Sequence, residues 1–416
     1  MSENKTVIAV DVGTSKISCL IGERVDGGVE VIGKGQAPSH GVKKGAIDDI
    51  EECSQSIELA IVEAENCAGV RVNQIVAGIS GEYISTFCGR GRVAITNKGN
   101  EITSADVSRA LSLAKPDKDM EDLRLLHAIP RMYSIDGEMG VKNPVGLIGN
   151  HLEVDAYMVA GSRTHLANIA KAFNLNGLEI EPGGFVLSSI GAARAVLAES
   201  EKNLGVVLID IGAGTTKIAV YKGGFLIHSR TLSLGSDSLT YDIAMCFRIP
   251  LVEAENLKIK YASACPDLLS EEEQTQQVAA LSFSESEDTV LVPRKELSCI
   301  VEARLMEIFE AISRDLKRLY SKGIYIAGAI ITGGASKMRH VNYIAQRILD
   351  LPTKIGRPTN IQGLGDWEGN PEYSSVAGIL QLASERKAIS VPVVKNKTGR
   401  VTHAFKKVWS WLQEVL

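Results

Sequence analysis

The sequence predicts an α/β protein of more than one lobe, and three features carry that prediction: a repeated glycine hairpin, a strand that ends in paired glycines, and a length of 416 residues. The first hairpin is Val7-Ile-Ala-Val-Asp-Val-Gly-Thr-Ser-Lys16 and the second is Val206-Val-Leu-Ile-Asp-Ile-Gly-Ala-Gly-Thr-Thr-Lys217. They lie roughly two hundred residues apart and read as copies of one device. In each, a short β-branched run leads to an Asp, a Gly, hydroxyl side chains and a Lys, and a second apolar run follows (17–21 and 218–221). The chain exceeds one typical domain, so two or more lobes are expected. An apolar fraction of 45% with 39 glycines suits α/β architecture with many tight turns.

The hairpins have the chemistry of a phosphate clasp. Gly13, Gly212 and Gly214 let the backbone turn tightly and bring N–H groups close to phosphate oxygens. Thr14, Ser15, Thr215 and Thr216 add hydroxyl donors, and Asp11 and Asp210 can hold Mg²⁺ through its waters. A single Asp-x-Gly hairpin is more often only a turn; two copies, each between strands, point to a nucleotide. The third element, residues 327–338, is an apolar strand closed by Gly333-Gly334-Ala335 and followed by a helical pattern at Val341, Ile344, Ala345 and Ile348. Paired glycines at a strand end let the backbone lie flat against a base or ribose; an ordinary strand–turn–helix reads equally well at this position.

Composition limits the alternatives. The formal charge of −5 supplies no global basic field, so no nucleic-acid partner is expected. The seven cysteines include no C-x-x-C pair and no His at ligand spacing, which predicts reduced thiols in a cytoplasmic protein and no zinc site. The first residues are polar and charged rather than an apolar signal segment. No run of about eighteen apolar residues exists to span a membrane.

Along the chain, residues 6–35 read as a hairpin and a further strand, 48–67 as a helix with Ile50, Ile57, Ile61 and Ala64 on one face, and 72–79 as a strand. Residues 83–165 read as a small α+β insertion. It holds a strand pair at 85–96, a helix capped by Thr103 and Asp106 and running toward Lys115, a break at Pro116, and apolar segments at 125–135 and 152–159. Residues 166–200 supply two helices around 177–185. Residues 251–265 and 296–322 read as helices, with the polar, acidic stretch 270–287 between them as a surface loop. A last helix covers 374–386.

Composition then shifts. Residues 386–399 read as a linker and 400–416 as an amphipathic helix. At about 100° per residue, Val401, Phe405, Val408, Trp409, Leu412, Val415 and Leu416 fall in one stripe roughly 120° wide. Arg400, His403, Lys406 and Lys407 lie on the other side. An aromatic face opposite a basic one, on a tether, is the composition of a helix lying in a membrane interface; the alternative is a helix docked on its own core.

With these motifs in view, the chain resembles the FtsA family of bacterial cell-division proteins, within the actin/Hsp70/sugar-kinase ATPase superfamily. The matching stretches are Asp11-Val-Gly-Thr-Ser-Lys16, Leu126-His-Ala-Ile-Pro130, Val141-Lys-Asn-Pro-Val-Gly-Leu147, Asp210-Ile-Gly-Ala-Gly-Thr-Thr216, Ala254-Glu-Asn-Leu-Lys-Ile-Lys-Tyr261 and Ile331-Thr-Gly-Gly-Ala335. The clasps are common to the superfamily; the stretch 142–147 and the tail point to the family.

The resemblance implies an actin-like fold of two lobes around a nucleotide cleft. Residues 1–82 and 166–200 would form subdomain 1A, 83–165 subdomain 1C, 201–241 and 323–385 subdomain 2A, and 242–322 subdomain 2B. It also implies binding of ATP or ADP with Mg²⁺ at Asp11 and Asp210, polymerisation, and tethering of FtsZ filaments to the inner face of the cytoplasmic membrane at the division site. Asp11, Gly13, Thr14, Ser15 and Lys16 carry over as the first phosphate loop, with Lys16 a point charge toward the phosphates. Asp210, Gly212, Gly214, Thr215 and Thr216 carry over as the second, with Asp210 the candidate catalytic carboxylate. Glu255 and Lys258, three apart on one helical face, carry over as ribose- and adenine-side contacts, although a solvated ion pair would have the same spacing. Gly333, Gly334 and Ala335 carry over as the adenosine turn. Arg294, Glu302 and Arg304 lie in the stretch resembling the FtsZ-binding helix, and subdomain 1C is assigned to filament contacts and later division proteins. Val401, Phe405, Lys406, Lys407, Val408, Trp409, Leu412 and Leu416 would meet an anionic membrane surface.

Two positions depart from the family pattern. Lys217 stands where relatives carry an acidic residue or His; an ammonium cannot orient water by accepting its proton, but it can bind a γ-phosphate. Ala213 replaces the commoner Gly. Both imply at most a slow ATPase. A sugar or acetate kinase would need an acceptor pocket and no amphipathic tail. An Hsp70-like chaperone would need a β-rich domain where only about thirty residues remain. An actin-like ATPase of another membrane machine, such as pilus assembly, would lack the 142–147 stretch.

Overall fold

The computed structural model describes residues 6–116, 121–283 and 289–385. The linker 386–399 and the amphipathic segment 400–416 lie outside the described residues.

The first hairpin is β1 (Thr6–Val12) with β2 (Lys16–Val25), extended by β3 (Gly28–Pro38) into an antiparallel meander. After a short pair, β4 (Val42–Lys43) and β5 (Ala46–Ile47), helix α1 (Ile50–Ala68) carries the chain over so that β6 (Gln74–Ile79) runs parallel to β1. Asp49 caps α1 by accepting from the N–H groups of Glu51 and Glu52, and Gly69 ends it at φ 65°. Its apolar face (Cys53, Ile57, Ala60, Ile61, Ala64) lies against β3. Gly35 permits that approach, since a Cβ there would stand 2.2 Å from the Ala60 carbonyl oxygen.

The insertion holds β7 (Ile84–Ala94), α2 (Ser104–Leu113), β8 (Lys115–Pro116), β9 (Leu123–Ile135), β10 (Glu138–Val141) and β11 (His151–Ser162) in a sheet of order β10-β9-β11-β7-β8. Thr103 and Asp106 form the expected capping box on α2. The strand pair expected at 85–96 is instead the single strand β7. Its glycines do not turn the chain; Gly91 brings β7 flat against α2, where a Cβ would fall 1.9 Å from the Ala110 carbonyl oxygen.

Next come α3 (Arg163–Asn174), β12 (Glu179–Leu187), α4 (Ser188–Val196) and α5 (Glu199–Leu204). The segment between the two expected helices is thus itself largely a strand, and β12 completes the sheet β12-β6-β1-β2-β3.

The second lobe repeats this plan. β13 (Val206–Ile211), β14 (Thr216–Lys222) and β15 (Phe225–Leu232) form the meander. Helices α6 (Ser236–Phe247), α7 (Leu251–Tyr261) and α8 (Glu271–Thr275), the ribbon β16 (Gln277–Leu281) with β17 (Thr289–Pro293), and the long helix α9 (Arg294–Tyr320) follow. Then β18 (Gly328–Thr332), α10 (Val341–Leu349), β19 (Thr353–Ile355) and α11 (Ser374–Glu385) close the lobe. The stretch 270–287, expected as a loop, carries α8 and β16. Ser270 caps α8 with Glu273 in a capping box, and Val278 and Ala280 point every second side chain inward, a short-period pattern that the acidic run conceals. The second sheet runs β15-β14-β13-β18-β19, the same order and sense as the first.

The two lobes exchange their last helices. Helix α11 buries Val376, Ile379 and Leu380 with Val7, Ala9, Leu20 and Val76 of the first sheet. Helix α4 buries Ala192 and Ala193, with Leu197 at its C-terminal cap, against Val206, Leu208, Ala219 and Ile330 of the second. They cross at Gly191 and Gly378, where a Cβ on Gly378 would stand 1.7 Å from the Gly191 carbonyl oxygen. Only paired glycines allow that crossing.

Candidate nucleotide cleft

The two hairpin turns face each other across a cleft of about 650 Å³ between the lobes. Every residue expected to bind the cofactor lines it except Thr216. Thr216 is buried, and its hydroxyl donates to the Leu234 carbonyl at 2.8 Å, so it braces the loop before α6 instead of facing the cleft.

Both turns close in the same way. The Gly13 N–H donates to the Lys16 carbonyl at 3.1 Å and the Gly212 N–H to the Thr215 carbonyl at 2.9 Å. Their tips nearly touch, since a Cβ on Gly214 would stand 2.6 Å from the Thr14 hydroxyl oxygen. That proximity is the physical reason for glycine at 214.

Overlaying the two turns by their pairing separates the two lysines that the sequence motif equates. Lys16 sits where the second hairpin has Thr215, and Lys217 sits opposite Asp210, where the first hairpin sets Ser18 opposite Asp11. Lys16 reaches along the cleft to Glu372 at 3.2 Å and lies over the Tyr373 ring. Burial lowers its pKa despite the Glu372 carboxylate. Lys217 is buried, with Nζ 2.9 Å from Asp210 Oδ2. Burial acts to lower its pKa, but Asp210 and Asp11 together outweigh that and raise it, so the ammonium stays charged.

Each clasp aspartate accepts a hydroxyl from the first turn of an exchanged helix: Ser188 Oγ of α4 to Asp11 at 2.8 Å, and Ser375 Oγ of α11 to Asp210 at 2.9 Å. Asp210 Oδ2 thus receives both Lys217 and Ser375, and Oδ1 lies against Gly333, whose φ of 85° and lack of a Cβ make room for it. A cation bound through water needs carboxylate oxygens free to accept from that water. Asp210 does not fit the expected water-mediated Mg²⁺ role: one oxygen is engaged twice and the other abuts backbone. For the same reason its carboxylate is poorly placed as a catalytic base. Among the described residues no group of three or more His, Cys, Asp or Glu is arranged to hold a metal ion directly.

On the second-lobe side, Glu255 and Lys258 share one face of α7 as their spacing predicts and are ion-paired at 2.6 Å. Lys258 is buried and also donates to Thr240 Oγ1 at 2.8 Å, while Thr240 Oγ1 donates to Glu255. Asp237, nearby at the start of α6, has its pKa raised by burial. Gly334 opens onto free space, with nothing within 4 Å of the point where a Cβ would stand, whereas Gly333 is enclosed.

Among the residues that the sequence motifs missed are two that line the cleft, Ser375 and Glu372, and one buried behind it, Ser188, which reaches Asp11. Ser188, Ser375 and Glu372 come from helix starts or the segment just before one, and Glu372 gathers both Lys16 and Lys337, the latter at 3.0 Å. The only local signal is Asn370-Pro-Glu, where the Asn370 side chain caps Glu372 ahead of α11.

The three residues expected to meet FtsZ divide. Arg294, at the start of α9, lines the cleft and is tied to the Tyr261 carbonyl at 2.9 Å and to Glu273 at 3.1 Å. Glu302 is paired with Arg347 at 2.7 Å, and Arg304 with Asp242 at 2.6 Å.

Comparison with known proteins agrees with this geometry. The sequence profile of the family described as "Cell division protein FtsA" matches residues 207–378, and that of "SHS2 domain inserted in FTSA" matches 81–160. A cell division protein FtsA of Pseudomonas aeruginosa is 36% identical over 93% of this chain and 91% of its own length. One of Escherichia coli is 31% identical over 99% of both, and one of Bacillus subtilis 33% identical over 94% of this chain and 86% of its own. Among solved structures, a chain of the PilM–PilN type IV pilus biogenesis complex superposes with a TM-score of 0.64 at 15% identity, covering 91% of this chain and 99% of that one. MreB5 of Spiroplasma citri bound to ADP superposes with a TM-score of 0.54 at 14% identity, covering 90% and 95%. The fold is therefore the actin-like two-lobe ATPase fold with the family's 1C insertion.

Proposed function

The chain belongs to the FtsA family of cell-division proteins, and we propose that it binds ATP or ADP between its lobes, polymerises, and tethers FtsZ filaments to the inner face of the cytoplasmic membrane. One observation carries the nucleotide part: two copies of one hairpin, from two lobes of one plan, aim Gly13, Thr14 and Gly214 at a single cleft. Backbone N–H groups there can cradle phosphates. The open surface at Gly334 and the Glu255–Lys258 pair supply the adenosine side.

The same proposal divides the chain into subdomains 1A (1–82 and 166–200), 1C (83–165), 2A (201–241 and 323–385) and 2B (242–322), with 400–416 as the membrane helix. Subdomain 1C carries filament contacts and later division proteins. Its surface leaves Met139 76% and Ile148 75% exposed. Arg304, tied to Asp242 of α6, and Glu302, tied to Arg347 of α10, remain candidates for the FtsZ contact; Arg294, turned into the cleft, suits it less. No helix among the described residues is long and apolar enough to cross a membrane, which is compatible with peripheral attachment by the tail.

The reading is tested on an anionic lipid monolayer with ATP, viewed by electron microscopy. Filaments on the lipid are expected. Bare lipid at protein concentrations well above nucleotide saturation would contradict it.

A further inference from the structure

The cleft holds two carboxylates from two equivalent hairpins, and between them lies one ammonium. Asp11 faces Ser18 across its hairpin; Asp210 faces Lys217 across the other. A polyphosphate entering this cleft would meet two anions, and repulsion between like charges a few ångströms apart is large where water is scarce. The usual remedy is a divalent ion between them and the phosphate. Here Lys217 Nζ is already 2.9 Å from Asp210 Oδ2, and Lys217 lines the same cleft as Asp11. Asp210 is further engaged by Ser375, so it has little capacity left for a hydrated cation.

We propose that Lys217 is a resident counter-cation, which lets this protein bind a nucleoside di- or triphosphate without a divalent metal ion. The proposal rests on the nucleotide assignment of the cleft. The ammonium lowers the local charge by the amount that one carboxylate adds, and it has further N–H donors beyond the one given to Asp210. Because Lys217 is inside the protein, the compensation is permanent and does not vary with free Mg²⁺.

The experiment titrates the full chain with a fluorescent ADP in excess Mg²⁺ and again in EDTA. The native protein should bind in both, with affinities within about threefold. Lys217→Ser installs the residue that the first hairpin already carries opposite its aspartate, so the hairpin can accept it. That variant should lose about tenfold or more in EDTA, roughly 1.4 kcal/mol, and recover with Mg²⁺, while Lys217→Arg keeps binding in EDTA. A native protein that loses tenfold in EDTA overturns the proposal, as does a folded Lys217→Ser variant indifferent to Mg²⁺. If Lys217→Ser fails to fold, the native titration and Lys217→Arg still decide. Failure of the folded native protein to bind in either buffer would instead remove the nucleotide assignment itself.

Discussion

Lys217 sits directly across the β13–β14 hairpin from Asp210, its Nζ 2.9 Å from Oδ2, in a buried ion pair at the floor of the cleft. An ammonium in this place cannot take a proton from an attacking water, and it occupies the carboxylate that otherwise could. ATP turnover is therefore expected far below the usual enzyme range of roughly 1–1000 per second. A phosphate-release assay checks this; turnover within that range would contradict it.

The paired glycines give a contrast. Gly334 has free space around it, so Gly334→Asp should fold normally and lose ATP binding, because the new carboxylate enters the adenosine side. Gly333 has φ 85° and a Cβ there would stand 2.3 Å from Asp210 Oδ1, so Gly333→Ala should destabilise the protein by about 1–3 kcal/mol. Denaturation midpoints and a fluorescent-ATP titration separate the two. Unchanged affinity in Gly334→Asp would remove this turn from the site.

Acid stability should depend on Asp315. This buried carboxylate of α9 accepts from Arg230 of β15 at 2.9 Å. Burial acts to raise its pKa, but His228 and Arg230 outweigh that and lower it from 3.8. A lowered native pKa means stability that is fully present above the unfolded value and lost as pH falls through the native one. The contribution is thus complete above about pH 4 and declines below it. Asp315→Asn should cost about 1.5–3 kcal/mol at neutral pH and flatten the acid limb of a stability–pH curve. An unchanged acid limb would contradict the assignment.

Tyr157 of β11 joins the insertion to the second lobe: the Ser229 N–H donates to its hydroxyl oxygen at 2.6 Å. Tyr157→Phe leaves a buried N–H unpaired and should cost about 1–3 kcal/mol in chemical denaturation. No measurable loss would show that this joint contributes nothing to stability.

Much of this architecture is legible in the sequence, because the hairpins repeat strongly and α1 and α10 have clean periodicity. Three things are not. The lysines of the two hairpins look equivalent in the motif, but equivalence is set by cross-strand pairing, which places Lys16 with Thr215 and Lys217 with Ser18. The stretch 85–96 reads as a strand pair but is one strand, because Gly91 serves where the α2 backbone presses on β7. Ser188 and Ser375 carry no motif because they reach the aspartates through tertiary packing: α4 and α11 cross at Gly191 and Gly378, and their first turns are thereby brought against Asp11 and Asp210.

The tail should bind membranes mainly through its apolar face. Each large apolar side chain contributes roughly 1.5–3 kcal/mol on burial, and each basic residue about 1 kcal/mol near an anionic surface. Trp409→Glu should release the protein from anionic vesicles at any salt, whereas Lys406→Ala with Lys407→Ala should weaken binding partly and reduce its salt sensitivity. A Trp409→Glu variant that still pelleted with vesicles would mean the helix is docked on its own core.

The tether is tested most directly by co-sedimentation of anionic liposomes with FtsZ and ATP, comparing the full chain with one lacking residues 400–416. Polymerised tails act as linked sites and should hold firmly although each binds weakly. The full chain should carry FtsZ into the liposome pellet, and the shortened chain should leave both proteins in the supernatant. FtsZ pelleting equally with both chains, or with neither, would contradict the tethering role.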